Sequence, residues 1–255
     1  MSTETIEQIN SHYTVREYKP EPVTAELVEL VIAAGQRAST SSNLQAYSVV
    51  AVADQEKRGH LAELCGGQRQ ILEAPVFLAW CADLSRLDRV CQARGYEQVT
   101  DYVESFLVAA VDAALAMQNA ALAAESLGLG MCYIGAIRNQ PQDVIDLLDL
   151  PRLVFPVSGM TLGWPAAAPF VRPRLPLNAV LHWESYDLEG EAAALAEYDQ
   201  AMIETGIYDG RQVPSPNREE PMADYGWREH SARRVSNPMR TGLRRVLSRQ
   251  GFGLE

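Results

Sequence analysis

The chain has 255 residues, 47% hydrophobic and 22% charged, which suits one sizeable folded domain with an extension and excludes a disordered or fibrous protein. Its formal net charge of -11 argues against broad binding to nucleic acid or anionic lipid, since both need an excess of Lys and Arg. The cysteines Cys65, Cys81, Cys91 and Cys132 form no C-x-x-C pair and flank no histidine pattern, so no metal site and no redox dithiol is expected, and they read as reduced, mostly buried thiols.

The first residues carry neither a basic start nor an apolar run, so no signal peptide is expected and the cytoplasm is the expected location. His12, Thr14 and Arg16 then alternate along an extended stretch, which puts all three side chains on one face. After Pro22, Thr24 is a candidate N-cap for a helix with Leu27, Leu30, Val31 and Ala34 at helical spacing. Residues 39–45 (STSSNLQ) form a hydroxyl-rich loop of the kind usually found at turns or caps. Residues 47–52 and 76–81 are short runs of β-formers around a helical stretch with Leu61, Leu64 and Cys65, itself followed by Gly66-Gly67-Gln68.

Residues 100–127 are alanine-rich and apolar on most faces, with Gly128 and Gly130 as a C-terminal stop. Glu104, Asp112, Gln118, Asn119 and Glu125 would be costly in lipid, so the segment reads as a central buried helix rather than a membrane span. A strand at 131–135, a helix capped by Asn139 with Pro141 in its first turn, and a strand-like run at 153–162 complete the mixture of elements.

Beyond Trp164 the chain changes character. Pro165, Pro169, Pro173 and Pro176 mark an extended arm, on which Arg172 and Arg174 share a face across Pro173. An acidic helix near 191–205, a polar stretch at 206–226 containing Arg211 and Arg218, and a basic helix near 239–250 follow. The division expected is a core over residues 1–176 and a mobile C-terminal extension over 177–255 that packs on the dimer and the pocket mouth. The tail arginines, Arg228, Arg233, Arg234, Arg240, Arg244, Arg245 and Arg249, fit a solvated helix or docking arm better than a nucleic-acid tail in so acidic a chain.

Nucleotide binding through G-x-G-x-x-G is not expected, because Tyr133 stands where the third glycine belongs, and neither a Walker sequence nor a G-x-S-x-G elbow occurs. What remains is built for anions: His12, Thr14 and Arg16 on one arm, Arg172 and Arg174 on the other, able together to neutralise a phosphate by charge-assisted bonds. On spacing alone each group also reads as a solvated surface cluster.

The order H-x-[ST]-x-R, S-S-N-L-Q, G-G-Q, A-A-E-S-L-G-L-G-x-x-Y-I-G-x-x-R-N and L-G-W-P-x-x-x-P-x-x-[KR]-P-R-L-P closely resembles the oxygen-insensitive NADPH nitroreductase and flavin reductase family, over about residues 12–176. The resemblance implies an α+β fold with a mixed sheet sandwiched by helices, an intertwined homodimer with two FMN sites at the subunit interface, and ping-pong hydride transfer from NADPH, with NADH possible, to nitroaromatics, quinones or flavins. By position, His12, Thr14 and Arg16 with Arg172 and Arg174 would hold the FMN phosphate and ribitol, and Tyr13 is counted among the cofactor-binding residues of the same arm. Ser41, Ser42 and Asn43 would reach the flavin from the partner subunit, Gln68 would touch the ring edge, and Tyr133, Ile134, Gly135 and Ala136 would line the ring. Tyr133 and Ile134 also read as packing residues.

Two departures stand out: Tyr13 replaces a frequent Arg, and Ala136 a frequent glycine. The polar stretch after Gly206 resembles the family only loosely, and Arg211 or Arg218 is the candidate for the NADPH 2′-phosphate. No protein side chain need act as acid or base, and neither nucleic acid nor a membrane is an expected partner. Two further readings stay open: other superfamily flavin chemistry, such as dehalogenation or flavin destruction, and a non-catalytic FMN carrier or sensor.

Overall fold

The computed structural model describes residues 2–215 and 222–255. By contacts the chain divides into two compact units, Met1–Val171 with Arg240–Glu255, and Arg172–Met239.

In the first unit, α1 (Glu4–Asn10) is capped by the Thr3 hydroxyl and α2 (Ala25–Gly35) by that of Thr24, each accepting from a first-turn amide. Then come β1 (Tyr47–Val52), α3 (Gln55–Leu64), α4 (Arg69–Glu73), β2 (Val76–Asp83), α5 (Ser85–Arg94) and α6 (Val103–Ser126). The unit continues through β3 (Gly130–Ile134), α7 (Pro141–Leu147) and β4 (Val154–Gly163). The sheet order is β1-β2-β4-β3. The resemblance implies a mixed sheet; within the single chain all three pairings among the described strands are antiparallel.

Every residue of β2 is buried, as expected of an inner strand covered on both faces. Val76, Leu78 and Trp80 pack with the alanines of α6 and with Val31 of α2. Phe77, Ala79 and Cys81 face the other way, into a cluster with Leu61 of α3, Val144 and Ile145 of α7, and Phe155. Strand alternation thus builds two cores, and helices cover both sides of the sheet.

The chain-terminal segment, which the sequence reading groups with a mobile extension, belongs to this first unit. Its helix α10 (Leu243–Arg249; α8, Glu191–Glu204, and α9, Trp227–Val235, lie in the second unit) leaves Arg244, Arg245 and Arg249 exposed and buries Val246 and Leu247, while Phe252 packs edge-on against Phe106. The apolar residues, not the arginines, decide where it sits.

Three local readings need correction. The helix after β3 starts at Pro141 with Gln140, not Asn139, at its N-cap, because the Asn139 side chain instead accepts from Arg240 Nε at 3.0 Å. The long helix starts at Val103 rather than Thr100, whose hydroxyl donates to the Gly251 carbonyl. That helix is also not buried all round: Val103, Leu107, Val111 and Leu115 are exposed.

The second unit holds α8 (Glu191–Glu204) and α9 (Trp227–Val235). Asp199 of α8, itself buried, accepts from the Arg228 amide (2.8 Å) and from Arg228 Nε (2.9 Å) at the start of α9. Arg233 is buried with its guanidinium 5.1 Å from the Tyr225 ring centroid and donates to the Val213 carbonyl.

Candidate functional site

The N-terminal arm is laid along the edge of the sheet by backbone bonds. The Val15 amide donates to the Met131 carbonyl, Lys19 to Trp164, and Ala166 to Glu17, each at 2.9–3.0 Å. Gly130 is required for this approach, since a Cβ there would lie 2.3 Å from a Val15 methyl carbon. Val15 and Tyr18 are buried, with Tyr13 packed against them. His12, Thr14 and Arg16 therefore share the other side, with Arg16 exposed and the other two half-buried. Among the described residues no carboxylate forms an ion pair with Arg16.

His12 is anchored from behind. Its Nδ1 lies 2.5 Å from Glu125 Oε1 in the last turn of α6. The other oxygen, Oε2, is buried without a protein partner. The Tyr133 hydroxyl donates to Gln118 Oε1 at 2.9 Å, and Gln118 and Glu125 lie two turns apart on one helix face. Burial of that hydroxyl, and then the Glu125 carboxylate, push its pKa above the ordinary range.

Beyond β3 the chain turns through Gly135, Ala136 and Arg138. Ile134 is 1% exposed and belongs to the core, so its side chain packs and only its backbone can face a ligand. Gly135 and Ala136 are half-buried. A Cβ on Gly135 would lie within 3.9 Å of guanidinium nitrogens of both Arg138 and Arg240. A cavity of about 220 Å³ opens beside them, lined also by Arg245. Burial and then Arg240 lower the Arg138 pKa, and Arg138 donates to the Val157 carbonyl. The turn Gly66-Gly67-Gln68 abuts Asn139. Gln68 Nε2 donates to the Cys65 carbonyl at 3.2 Å.

Ser41, Ser42 and Asn43 form a short exposed 3-10 turn just before β1. Because β1 and β3 are opposite edges of the sheet, this turn and the Tyr133 to Ala136 segment are separated by three strand spacings, roughly 14 Å. The arm lies along β3, and the Gly66-Gly67-Gln68 turn lies beside Asn139 beyond the end of that strand, whereas the hydroxyl-rich turn precedes the opposite edge strand.

In the second unit Arg174 is exposed and turns Nη1 back to the Arg172 and Pro173 carbonyls. Arg172 is half-buried and Arg211 exposed. Arg218 lies outside the described residues. Sequence reasoning gave no site role to Glu125, Arg138, Arg240 or Asp112. Arg138 stood within a quoted motif and Arg240 within the basic tail, but nothing in their spacing brings them together.

A model described as the nitroreductase family matches residues 9–164, and one described as the C-terminal domain of that family matches residues 172–255. The chain is 38% identical to an FMN reductase (NAD(P)H) of Bacillus subtilis, over 99% of both chains. It is 37% identical to an oxygen-insensitive NADPH nitroreductase of Salmonella typhimurium, over 97% of this chain and 98% of that one. Among solved structures it is similar to B. megaterium NfrA2, with a TM-score of 0.91 and 37% identity over 100% of both chains.

Proposed function

The chain belongs to the nitroreductase family, and from that premise we propose that it is an FMN-dependent NAD(P)H oxidoreductase that reduces nitroaromatics, quinones or flavins by a ping-pong route as a homodimer. The observation that carries the cofactor reading is the donor face of the N-terminal arm. Arg16 has no carboxylate partner among the described residues, His12 keeps Nε2 free of the bond to Glu125, and Thr14 lies between them. That set fits a flavin phosphate, whose dianion takes charge-assisted bonds from such groups.

When bound, FMN supplies the two-electron redox chemistry between a reduced nicotinamide and an electron-poor acceptor. The protein's part is to hold and orient. Ser41, Ser42, Asn43 and Gln68 are assigned to the flavin's polar edge and ribityl chain, and Tyr133, Gly135 and Ala136 to its surroundings. Tyr13, packed beside Val15, supports the arm rather than contacting phosphate. Arg138 and Arg240, beside Gly135, favour the negative charge that builds on a nitro or quinone oxygen during reduction. Arg172 and Arg174 are the second unit's candidates for the phosphate, and Arg211 for the nucleotide 2′-phosphate.

Two observations support the homodimer. The hydroxyl-rich turn and the β3 end lie at opposite sheet edges of one chain, so a second copy is what brings both to one ring. The exposed apolar stripe of α6 supplies a face for that copy.

Binding of FMN and riboflavin to wild type and Arg16→Ala tests the reading. Loss of one charge-assisted contact weakens FMN by about 1.5–3 kcal/mol, roughly one to two decades, and leaves riboflavin unchanged. A wild type that binds both flavins equally has no phosphate clamp. In the same set, Arg211→Ala raises KM for NADPH far more than for NADH; equal effects remove that assignment.

A further inference from the structure

Asp112 lies in the apolar middle of α6 and is 1% exposed, among the buried Ala109, Ala113 and Ala116. A carboxylate so placed is costly unless its oxygens are used. Both are used, by the same loop: the Ser41 amide donates to Oδ1 at 3.0 Å and the Ala46 amide to Oδ2 at 3.1 Å. One carboxylate therefore holds the entry and the exit of the segment between them.

That segment is strained. Ser42, Asn43 and Gln45 have φ of 47°, 57° and 51°, the left-handed region that side chains with a Cβ disfavour. No glycine relieves it; inside the loop the Leu44 amide donates to the Ser41 carbonyl at 2.8 Å, and Arg86 Nη1 donates to the Gln45 carbonyl at 2.8 Å. Such conformations persist only where the surroundings over-determine them, and they cluster at ligand sites. Here the buried carboxylate fixes both ends of the turn, and Arg86 adds one bond to its Gln45 carbonyl.

We propose that Asp112 is a positioning residue for the flavin: it locks the loop in the left-handed conformation that presents Ser41, Ser42 and Asn43 to the ring, before FMN arrives. The proposal rests on the reading of that loop as a flavin contact. Preorganisation of this kind removes the ordering cost from the binding step. In Asp112→Asn the side chain keeps its shape but has one accepting oxygen, so one of the two amides faces an NH2 group instead.

The test combines three measurements. In wild-type apoprotein, amide hydrogen exchange is slow at Ser41 and Ala46 and fast at Ser42; loop-like exchange at all three overturns the proposal without any variant. In Asp112→Asn, FMN binds at least tenfold more weakly and exchange quickens at residues 41–46, while exchange in β2 and β4 is unchanged. Unchanged FMN affinity, or a loss matched by faster exchange throughout the core, makes Asp112 a purely structural anchor and overturns the role. Ser42→Ala and Asn43→Ala separate this from the underlying reading. If both bind FMN like wild type, the loop is not a flavin contact and the reading itself falls; if they weaken FMN while Asp112→Asn does not, only the positioning role falls.

Discussion

The imidazole of His12 spends Nδ1 on Glu125, which leaves Nε2 as the atom available to a ligand. The pair is unevenly placed, with the Glu125 side chain 9% and the His12 side chain 26% exposed. Glu125 Oε2 already lacks a protein partner, so His12 is what makes the carboxylate tolerable there. His12→Ala leaves both oxygens unpaired and should destabilise the apoprotein by about 1–3 kcal/mol. Adding Glu125→Gln to His12→Ala removes the stranded charge and should recover part of the loss. Thermal unfolding of the apoproteins decides it: a double variant less stable than His12→Ala breaks the argument. At this scale the sequence was half legible. Alternation showed that His12, Thr14 and Arg16 share a face, but the helical carboxylate that fixes His12 stands 113 residues away and carries no local signal. Ile134 went the other way, because its position in β3 buries the side chain that the motif suggested for the ring.

Helix α6 shows what periodicity could and could not reveal. Its length and apolar character are plain in the sequence, and by composition it is long and apolar enough to cross a bilayer. In the fold its alanine face packs on the sheet and on α2, and Asp112 is buried holding two loop amides, an arrangement that lipid on all sides would not allow. The larger apolar residues, Val103, Leu107, Val111 and Leu115, recur every fourth position and are exposed. Hydropathy scores both faces alike, so a core face and a subunit face look the same in one sequence. Helices α1 and α4 escaped notice for another reason: they have 7 and 5 residues, too few for a period to register. If the stripe is the subunit face, burying each Leu or Val there is worth about 1.5–3 kcal/mol, and a charge in its place must be desolvated as well. Leu107→Glu should therefore shift the protein from dimer to monomer in sedimentation at micromolar concentration and release flavin with it. A Leu107→Glu protein that remains dimeric places the interface elsewhere.

At the scale of the whole molecule, the mixing of strands and helices follows from β-rich runs separated by helical spacing, whereas the two-sided cover of the sheet was legible only through the family resemblance. The antiparallel order β1-β2-β4-β3 does not follow, since nothing local says that β4 inserts between β2 and β3. Nor does the return of the terminal segment, whose Val246, Leu247 and Phe252 complete a cluster begun at Ala46.

The same two-sided burial makes the fold sensitive to alkali. Burial raises the Cys81 thiol from an ordinary 9.0 to about 12, with Asp83 adding to the effect. Burial takes Cys65 from 9.0 to about 12 against the pull of Arg240. The buried Tyr18 hydroxyl is also driven up by desolvation, although its bond to Thr161 opposes the shift. The folded protein thus holds protons that the unfolded chain gives up, first at the thiols near pH 9 and then at the tyrosine. Above that point the native state binds more protons than the unfolded state, so the unfolding free energy falls as pH rises. Stability from these groups is complete below about pH 9 and is lost progressively towards about pH 12, where the folded thiols themselves titrate. The thermal midpoint of wild type should accordingly be level from about pH 7 to 8.5 and decline steeply by about pH 10.5. Cys81→Ala should unfold at a lower temperature at neutral pH, because it leaves a cavity in a fully buried site. Its midpoint should nonetheless decline less steeply with pH, because one of the retained protons is gone. A wild-type midpoint that stays flat to about pH 10.5, or a Cys81→Ala slope equal to that of wild type, would show that these thiols do not hold their protons as their burial requires.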